Sequence, residues 1–108
     1  DFFDDLKEHN AADNVMMLVF SEFGRRVRDN GSGTDHGSAG VSFVIGPQVK
    51  GGMHGLYPST QPDSLEQGDL VATMDFRGMY STIVEQWLKL DSKPIVEGTF
   101  EQPGFVRV

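Results

Sequence analysis

Residues 15–20 read Val-Met-Met-Leu-Val-Phe, an uninterrupted apolar run without the alternation of a half-exposed strand. Such a run is typical of a parallel strand that is buried on both faces. Residues 1–12 precede it with the pattern of an amphipathic helix, in which Phe2, Phe3 and Leu6 recur at helical spacing. A helix followed by a buried strand is half of a βαβ unit. The sequence therefore predicts an α/β fold with a partial, mostly parallel sheet flanked by helices.

Downstream of this strand, polar stretches alternate with short apolar ones. Residues 21–40 are polar and rich in glycine and predict a long loop, and residues 41–45 predict a second strand. Glycine and proline recur through residues 46–74, which predict a second loop region. The clearest helix spans residues 76–90, and residues 91–108 predict an extended tail. The helix carries an apolar stripe at i, i+3, i+4 spacing that predicts a core-facing surface: Phe76, Met79, Tyr80, Ile83, Val84, Trp87 and Leu88.

Composition limits the classes of protein. The chain has 108 residues, of which 38% are hydrophobic and 23% charged, as expected for one domain of a soluble globular protein. Its formal net charge of −7 argues against nucleic-acid binding, which needs a cationic surface. The absence of cysteine excludes a disulfide framework and a thiolate metal site. No apolar run approaches the roughly 20 residues that span a bilayer.

The predicted loop over residues 21–40 is the first candidate for a functional site. It leaves the carboxyl end of the buried strand, where open α/β sheets place their ligands. Within it, Asp35 and His36 combine a carboxylate with an imidazole, a pair that suits zinc or manganese. The flanking Gly33 and Gly37 would let the backbone approach an ion closely. The alternative for this pair is an Asp-capped turn with an exposed histidine.

Further charged residues of this loop carry two interpretations each. Glu22 directly follows the buried strand and is a candidate metal ligand or general base, or a salt-bridge partner of a nearby arginine. Arg25 and Arg26 are candidates for binding phosphate or sulfate, because a guanidinium matches tetrahedral oxyanions with two parallel hydrogen bonds. The alternative is that they pair with local carboxylates, including Asp29 and Asp35.

A weaker candidate lies in the second loop region. His54, within Gly-Gly-Met-His-Gly, is placed where a third metal ligand could come close, although such a histidine is more often a surface residue. No nucleophile elbow of the Gly-x-Ser-x-Gly type surrounds Ser21 or Ser38. The catalytic nucleophile of any enzyme containing this chain therefore stays unknown.

Four segments carry a resemblance to a bacterial family. They read Val-Phe-Ser-Glu-Phe-Gly-Arg-Arg at 19–26, Gly-Thr-Asp-His-Gly at 33–37, Val-Lys-Gly-Gly at 49–52 and Asp-Phe-Arg at 75–77. In this order they resemble the domain-of-unknown-function family fifteen-oh-one, which is similar to the alkaline phosphatase and sulfatase superfamily. Its members are usually several times longer and often begin with a twin-arginine export signal. The resemblance implies that residues 1–108 are the C-terminal portion of a larger alkaline phosphatase/sulfatase-like domain in a periplasmic or exported protein.

The resemblance also implies a metal site. Phosphopentomutases of the superfamily carry a metal ligand in a Gly-Thr-Asp-His segment, which Gly33 to His36 resembles closely. This implies that His36 and Asp35 bind a divalent metal, zinc or manganese, with Glu22 in support. Phe23 departs from the pattern, because it stands where the superfamily often has a metal-binding histidine.

Two functions follow from the resemblance. The first is metal-dependent hydrolysis of a phosphate or sulfate ester by the parent protein, with Arg25 or Arg26 holding the anion. The superfamily nucleophile is absent from this chain, so the chain alone is expected to be inactive. The alternative is a non-catalytic binding or scaffold module of an exported protein, which Phe23 favours. Whether the parent is an enzyme stays open.

The implied fragment has a consequence for association. A partial parallel sheet leaves strand edges and apolar faces uncovered, and such surfaces recruit partners. The sequence therefore predicts self-association of the isolated chain.

Overall fold

The computed structural model describes residues 1–107, which form small helices and strands. Helix α1 spans Phe2–Glu8. Its first turn is closed by a reciprocal cap. The Asp1 carboxylate accepts from the Asp4 backbone N–H at 2.9 Å, and the Asp4 carboxylate accepts from the N-terminal amino group of Asp1. A 3₁₀ turn follows at Ala12–Asn14, so α1 covers only part of the predicted N-terminal helix. Within the described residues, no helix is long and apolar enough to cross a membrane.

Residues 1–107 contain the strands β1 (Met17–Val19), β2 (Gly24–Asp29), β3 (Thr34–Gly37) and β4 (Phe43–Ile45). They form two separate two-stranded sheets, β1 with β4 and β2 with β3, and both are antiparallel. The prediction of a mostly parallel sheet is therefore wrong. Parallel neighbours need a crossover connection, usually a helix, whereas the connection between β1 and β4 holds the β2–β3 hairpin. An apolar run indicates burial but does not encode the direction of the neighbouring strand.

The stretch predicted as a long loop, residues 21–40, contains this hairpin instead. The chain reverses between β2 and β3, where the Asn30 N–H donates to the Gly33 carbonyl at 2.7 Å. Gly31 and Gly33 have φ angles of 100° and 150°, a backbone region that glycine adopts readily. Most residues of the hairpin are exposed. Because such a hairpin needs no alternation of apolar and polar residues, its polar sequence resembled that of a loop.

Helix α2 spans Phe76–Thr82 and continues as a π-helical turn over Ile83–Trp87. The predicted apolar stripe of this helix is not its buried face. Phe76 is 61% exposed and Leu88 is 52% exposed, and the stripe residues between them are half-buried. The fully buried residues of α2 are instead small: Gly78, Ser81 and Thr82.

The C-terminal segment covers this small face of α2. It begins with helix α3 (Lys93–Val96), which lies within the predicted extended tail. The Glu101 carbonyl approaches Gly78 so closely that a Cβ at that position would overlap it. Thr82 Oγ1 donates to the Gly78 carbonyl at 2.7 Å and lies 3.3 Å from the Pro103 carbonyl. A helix face without large side chains allows this close approach of a backbone segment.

The same segment pairs with the second loop region. Val49 and Val106 form an antiparallel bridge, and the Lys50 N–H donates to the Phe105 carbonyl at 2.7 Å. Phe105 and Val106 are only 3% and 1% exposed and are among the most deeply buried apolar residues. The core therefore lies where the C-terminal segment meets α2 and the second loop.

This core is small for the length of the chain. The accessible surface is 7850 Å², whereas a compact monomer of this mass exposes about 5,900 Å². The radius of gyration is 16.5 Å, against about 13 Å for a compact domain of this length. Much apolar surface is thus left in contact with solvent.

Candidate anion-binding site

One face of the β2–β3 hairpin carries two basic side chains. Arg25 and His36 are Cα partners across the hairpin, so their side chains lie on the same face. The His36 ring stacks on the Phe23 ring with centroids 3.5 Å apart and planes 11° from parallel. The Arg25 guanidinium carbon lies 5.2 Å from the Phe23 ring centroid, within the range of a cation–π contact. We call Phe23, Arg25 and His36 the Arg–Phe–His cluster.

The Arg25 head group is held by the hairpin itself. Its Nη1 donates to the Thr34 carbonyl at 2.7 Å. Neither Arg25 nor Arg26 forms an ion pair with a carboxylate among residues 1–107. The alternative interpretation, in which these arginines pair with Asp29 or Asp35, does not describe the structure.

Arg26 has a different role from Arg25. The two are neighbours on β2, and successive side chains of a strand point to opposite faces. Arg26 Nη2 donates to the Gln67 carbonyl, in a turn where Gln67 and Gly68 have φ angles of 51° and 79°. The structure therefore does not combine the two arginines into one clamp, and Arg26 attaches a distant turn to the hairpin.

Beside Arg26, Asp69 accepts a group of hydrogen bonds. Its Oδ2 accepts from the Ser38 N–H at 3.0 Å and from the Ser38 hydroxyl at 2.8 Å, and its Oδ1 accepts from the Leu70 N–H at 2.8 Å. These bonds, that of the Ser38 hydroxyl above all, lower the pKa of Asp69 below its ordinary value. The carboxylate borders an open cleft of about 350 Å³. Sequence reasoning missed this contact; the turn sequence Glu-Gln-Gly-Asp at 66–69 was the only local signal.

The residues proposed as metal ligands do not come together. Asp35 and His36 are neighbours on β3, so their side chains point to opposite faces. Asp35 Oδ1 accepts from Asn30 Nδ2 at 2.7 Å, and Glu22 is exposed. In the part of the chain that the structure describes, no group of three or more His, Asp or Glu side chains is arranged to hold a metal. These donors do not fit a zinc or manganese centre as they stand here, and the metal site stays a prediction.

His54 contacts a different part of the fold. Its Nε2 is 2.8 Å from the Lys50 carbonyl oxygen, and its ring meets that of Phe105 edge to face, with centroids 6.2 Å apart. These contacts place His54 beside the C-terminal segment, so nothing in the geometry joins it to the Arg–Phe–His cluster.

A comparison with protein-family models assigns the chain to a family. The family described as protein of unknown function (DUF1501) matches residues 1–94. The chain belongs to this family. In this DUF1501 chain the match includes the Arg–Phe–His cluster, α2 and the π-helical turn. Searches of the curated proteins and of the solved structures found no match. The predicted family membership is thus confirmed, and the link to the alkaline phosphatase and sulfatase superfamily stays a prediction.

Proposed function

We propose that this DUF1501 chain holds the anionic group of a phosphate or sulfate ester within a longer, exported bacterial protein. By itself the chain binds the anion and does not hydrolyse the ester. The observation that carries the proposal is the Arg–Phe–His cluster. It sets Arg25 and His36 side by side on an exposed face, with no carboxylate paired to either among residues 1–107.

The guanidinium of Arg25 is suited to this task. A guanidinium has five N–H donors in a fixed plane and matches tetrahedral oxyanions with two parallel bonds. Within the described residues, the hydrogen bond of Arg25 goes to Thr34, which leaves further donors for a ligand. The Thr34 carbonyl and the Phe23 ring both restrain the head group. Since the side chain is already ordered, less conformational entropy is lost when an anion binds.

His36 supplies a second polar group on the same face. Stacking on Phe23 covers one face of the imidazole, while the ring nitrogens lie at its edge. Neither nitrogen has a hydrogen-bond partner in residues 1–107. An oxyanion bound by Arg25 can therefore accept a further hydrogen bond from His36. The net charge of −7 opposes anion binding at long range, so the attraction must come from this local cluster.

Hydrolysis of the bound ester belongs to the longer protein in this proposal. The nucleophile and the remaining metal ligands would come from segments outside this chain, and zinc or manganese would polarise the ester oxygen. Asp35 and His36 supply at most two ligands, and no step assigned to this chain depends on a metal. The export of the parent protein to the periplasm is part of the same proposal.

A second function, a non-catalytic binding or scaffold module, is favoured by Phe23. Its phenyl ring stacks on the face of His36 and has no lone pair to bind a metal, so this position beside the imidazole supplies no further ligand. In this version the cluster binds the anion, and no ester is cleaved by the parent protein.

Titration with inorganic phosphate and inorganic sulfate, followed by NMR, tests the binding step. We expect the amide signals of β2 and β3 to shift in the wild-type chain. Arg25→Gln should weaken binding about tenfold or more, because a charge-assisted bond to an anion is lost. Arg28→Gln is the matched control. Arg28 is also an exposed arginine of β2, and its substitution removes the same positive charge. Equal losses in both variants would show that net charge, and not the cluster, attracts the anion.

An activity assay separates the two functions. The full-length parent, loaded with zinc or manganese, would be tested on aryl phosphate and aryl sulfate esters beside the 108-residue chain. Turnover by the parent, lost in its Arg25→Gln variant, supports the hydrolase. Binding of phosphate without turnover of any ester supports the non-catalytic module. Turnover by the chain alone would contradict both versions.

A further inference from the structure

The turn between β2 and β3 contains an asparagine that is followed by glycine. The chain has three asparagines, Asn10, Asn14 and Asn30, and all three are exposed. Alanine follows the first and valine the second, whereas Gly31 follows Asn30. An asparagine amide loses ammonia when the backbone nitrogen of the next residue attacks its side-chain carbonyl carbon. A glycine has no Cβ to obstruct that attack, so Asn30 is the asparagine of this chain that is most open to it.

The attacking nitrogen has a carboxylate beside it. The Gly31 N–H donates to Oδ1 of Asp29, an exposed residue that forms no ion pair among residues 1–107. Proton transfer to a positioned carboxylate makes the nitrogen a better nucleophile as it attacks. Apart from the chain neighbours of Gly31, no described atom lies within 4 Å of the position that a Cβ would occupy there. The turn therefore leaves room for a new bond at this nitrogen.

The carbonyl group under attack is held by hydrogen bonds. Asn30 Oδ1 accepts from the Ser32 N–H at 3.0 Å and from the Ser32 hydroxyl at 3.4 Å. Negative charge develops on this oxygen when the nitrogen adds to the carbonyl carbon, and donors placed there lower the barrier. The Asn30 amide nitrogen in turn donates to Asp35 Oδ1 at 2.7 Å. The side-chain amide thus has a fixed orientation between Ser32 and Asp35.

We propose that Asn30 is a site of self-modification, at which Gly31 displaces ammonia from the side chain and a succinimide forms. A bond forms between the Gly31 nitrogen and Asn30 Cγ, and the bond between Cγ and Nδ2 breaks. Asp29 takes the proton from the Gly31 nitrogen and passes it to Nδ2, which leaves as ammonia. Water then opens the succinimide at either of its carbonyl groups and gives aspartate or isoaspartate. The inference does not depend on the anion-binding proposal, since the reaction needs no ligand.

Either product changes the turn. The amide that donates to Asp35 is replaced by a carboxylate, so two negative charges face each other in place of a hydrogen bond. Isoaspartate also adds a methylene carbon to the backbone between β2 and β3. Turn geometry sets the register of a hairpin, which here pairs Asp29 with Thr34. We therefore expect the modification to loosen the pairing of β2 with β3, and faster amide hydrogen exchange in these strands after incubation measures this loosening.

Incubation of the full chain at neutral pH, followed by tryptic digestion and mass spectrometry, tests the proposal. We expect the peptide that begins at Asp29 to show the mass change from amide to carboxylate, in both aspartate and isoaspartate forms. Asn10 and Asn14 are internal controls and should stay unchanged. An unmodified Asn30 would overturn the proposal. Aspartate without isoaspartate would also overturn it, because direct hydrolysis by water forms no succinimide.

A pair of variants tests the part played by Asp29. Asp29→Ala should slow the modification about tenfold or more, because the proton acceptor is lost. Asp63→Ala is the matched control: it removes the same charge at an exposed aspartate outside the hairpin and should leave the rate unchanged. Equal rates in the two variants would contradict the proposal.

A second comparison covers the case in which Asp29→Ala does not fold. An asparagine followed by glycine also reacts in an unfolded chain, so the wild-type chain is incubated both folded and unfolded in guanidinium chloride. We expect the folded chain to react faster, because Asp29 and Ser32 are in place only in the folded turn. A folded chain that reacts no faster than the unfolded chain would show that the turn gives no assistance, and the proposal would be wrong.

Discussion

Ser38 donates both its backbone N–H and its hydroxyl to one oxygen of Asp69, Oδ2, at 3.0 and 2.8 Å. The contact joins the end of the β2–β3 hairpin to a turn that follows 31 residues later. A Cβ at Gly37 would lie 2.6 Å from Asp69 Oδ1, so only glycine lets the carboxylate come this close. Arg26, which donates to the Gln67 carbonyl, also attaches this turn to the hairpin. The hairpin that carries the Arg–Phe–His cluster is thus held in place by a turn remote in sequence.

Asp69→Asn should destabilise the chain at neutral pH, because the amide accepts the Ser38 hydrogen bonds less strongly than a carboxylate does. The pKa of Asp69 is lowered in the folded state, so its contribution to stability is present above its ordinary pKa of 3.8 and is lost as the pH falls below that value. The urea midpoints of variant and wild type should therefore differ at pH 7 and converge in acid. Asp63→Asn, at an exposed aspartate of the same loop region, is the control and should show no such convergence.

Phe23→Leu should weaken anion binding while leaving the fold intact. Leucine keeps an apolar side chain but removes the ring on which His36 stacks and over which Arg25 lies. An exposed cation–π contact contributes about 0.5–1 kcal/mol, so the dissociation constant for phosphate should rise roughly threefold. Phosphate titration followed by NMR measures this, with Val27→Leu, at another exposed position of β2, as the control. Unchanged affinity would mean that the ring does not order the two basic side chains.

Sequence reasoning was informative for the start of the helix predicted over residues 76–90. Helix α2 begins directly after Asp75, whose carboxylate accepts the Arg77 N–H at 2.9 Å. The direction of β1 relative to β4 depends on what fills the connection between them, and the polar hairpin there has no apolar signature. The apolar stripe of α2 predicted a helix, but it did not identify the segment that packs against this helix. The buried side of α2 is instead selected by close approach of the Glu101 carbonyl at Gly78.

The candidate site could be predicted only in part for a related reason. Side-chain chemistry and the family resemblance indicated Arg25 and His36 separately, as an anion binder and a metal ligand. Their pairing across the hairpin depends on strand register, which places both on one face and sends Asp35 to the other. The Ser38–Asp69 contact has a wide separation in sequence and no motif. A single sequence carries no local pattern for such a contact.

Asp75→Asn should remove part of the acid sensitivity of α2. Hydrogen bonds from Arg77 lower the pKa of Asp75 to about 2. Its contribution to stability is therefore complete above the ordinary pKa of 3.8 and is lost as the pH falls towards about 2. Asparagine is also a good N-cap, so the variant isolates the effect of charge. We expect helix circular dichroism of the wild type to fall more steeply than that of the variant between pH 4 and pH 2, whereas Asp13→Asn, an exposed control, should follow the wild type.

Ser81 and Thr82 are neighbours on α2 with exposures of 1% and 0%, and their hydroxyl groups should act on stability with opposite signs. Ser81 Oγ is buried without a hydrogen-bond partner among residues 1–107, whereas Thr82 Oγ1 donates to the Gly78 carbonyl at 2.7 Å. Ser81→Ala removes an unsatisfied polar atom and raises helix propensity, so the free energy of unfolding should increase by about 1 kcal/mol. Thr82→Val keeps the shape but removes the hydrogen bond, so the free energy should decrease by about 1 kcal/mol. Urea unfolding measures both changes in free energy, and the dependence of that free energy on urea concentration should be the same in the variants and the wild type. A loss of stability in Ser81→Ala would mean that this hydroxyl has a partner in the folded protein, such as a buried water, which satisfies it.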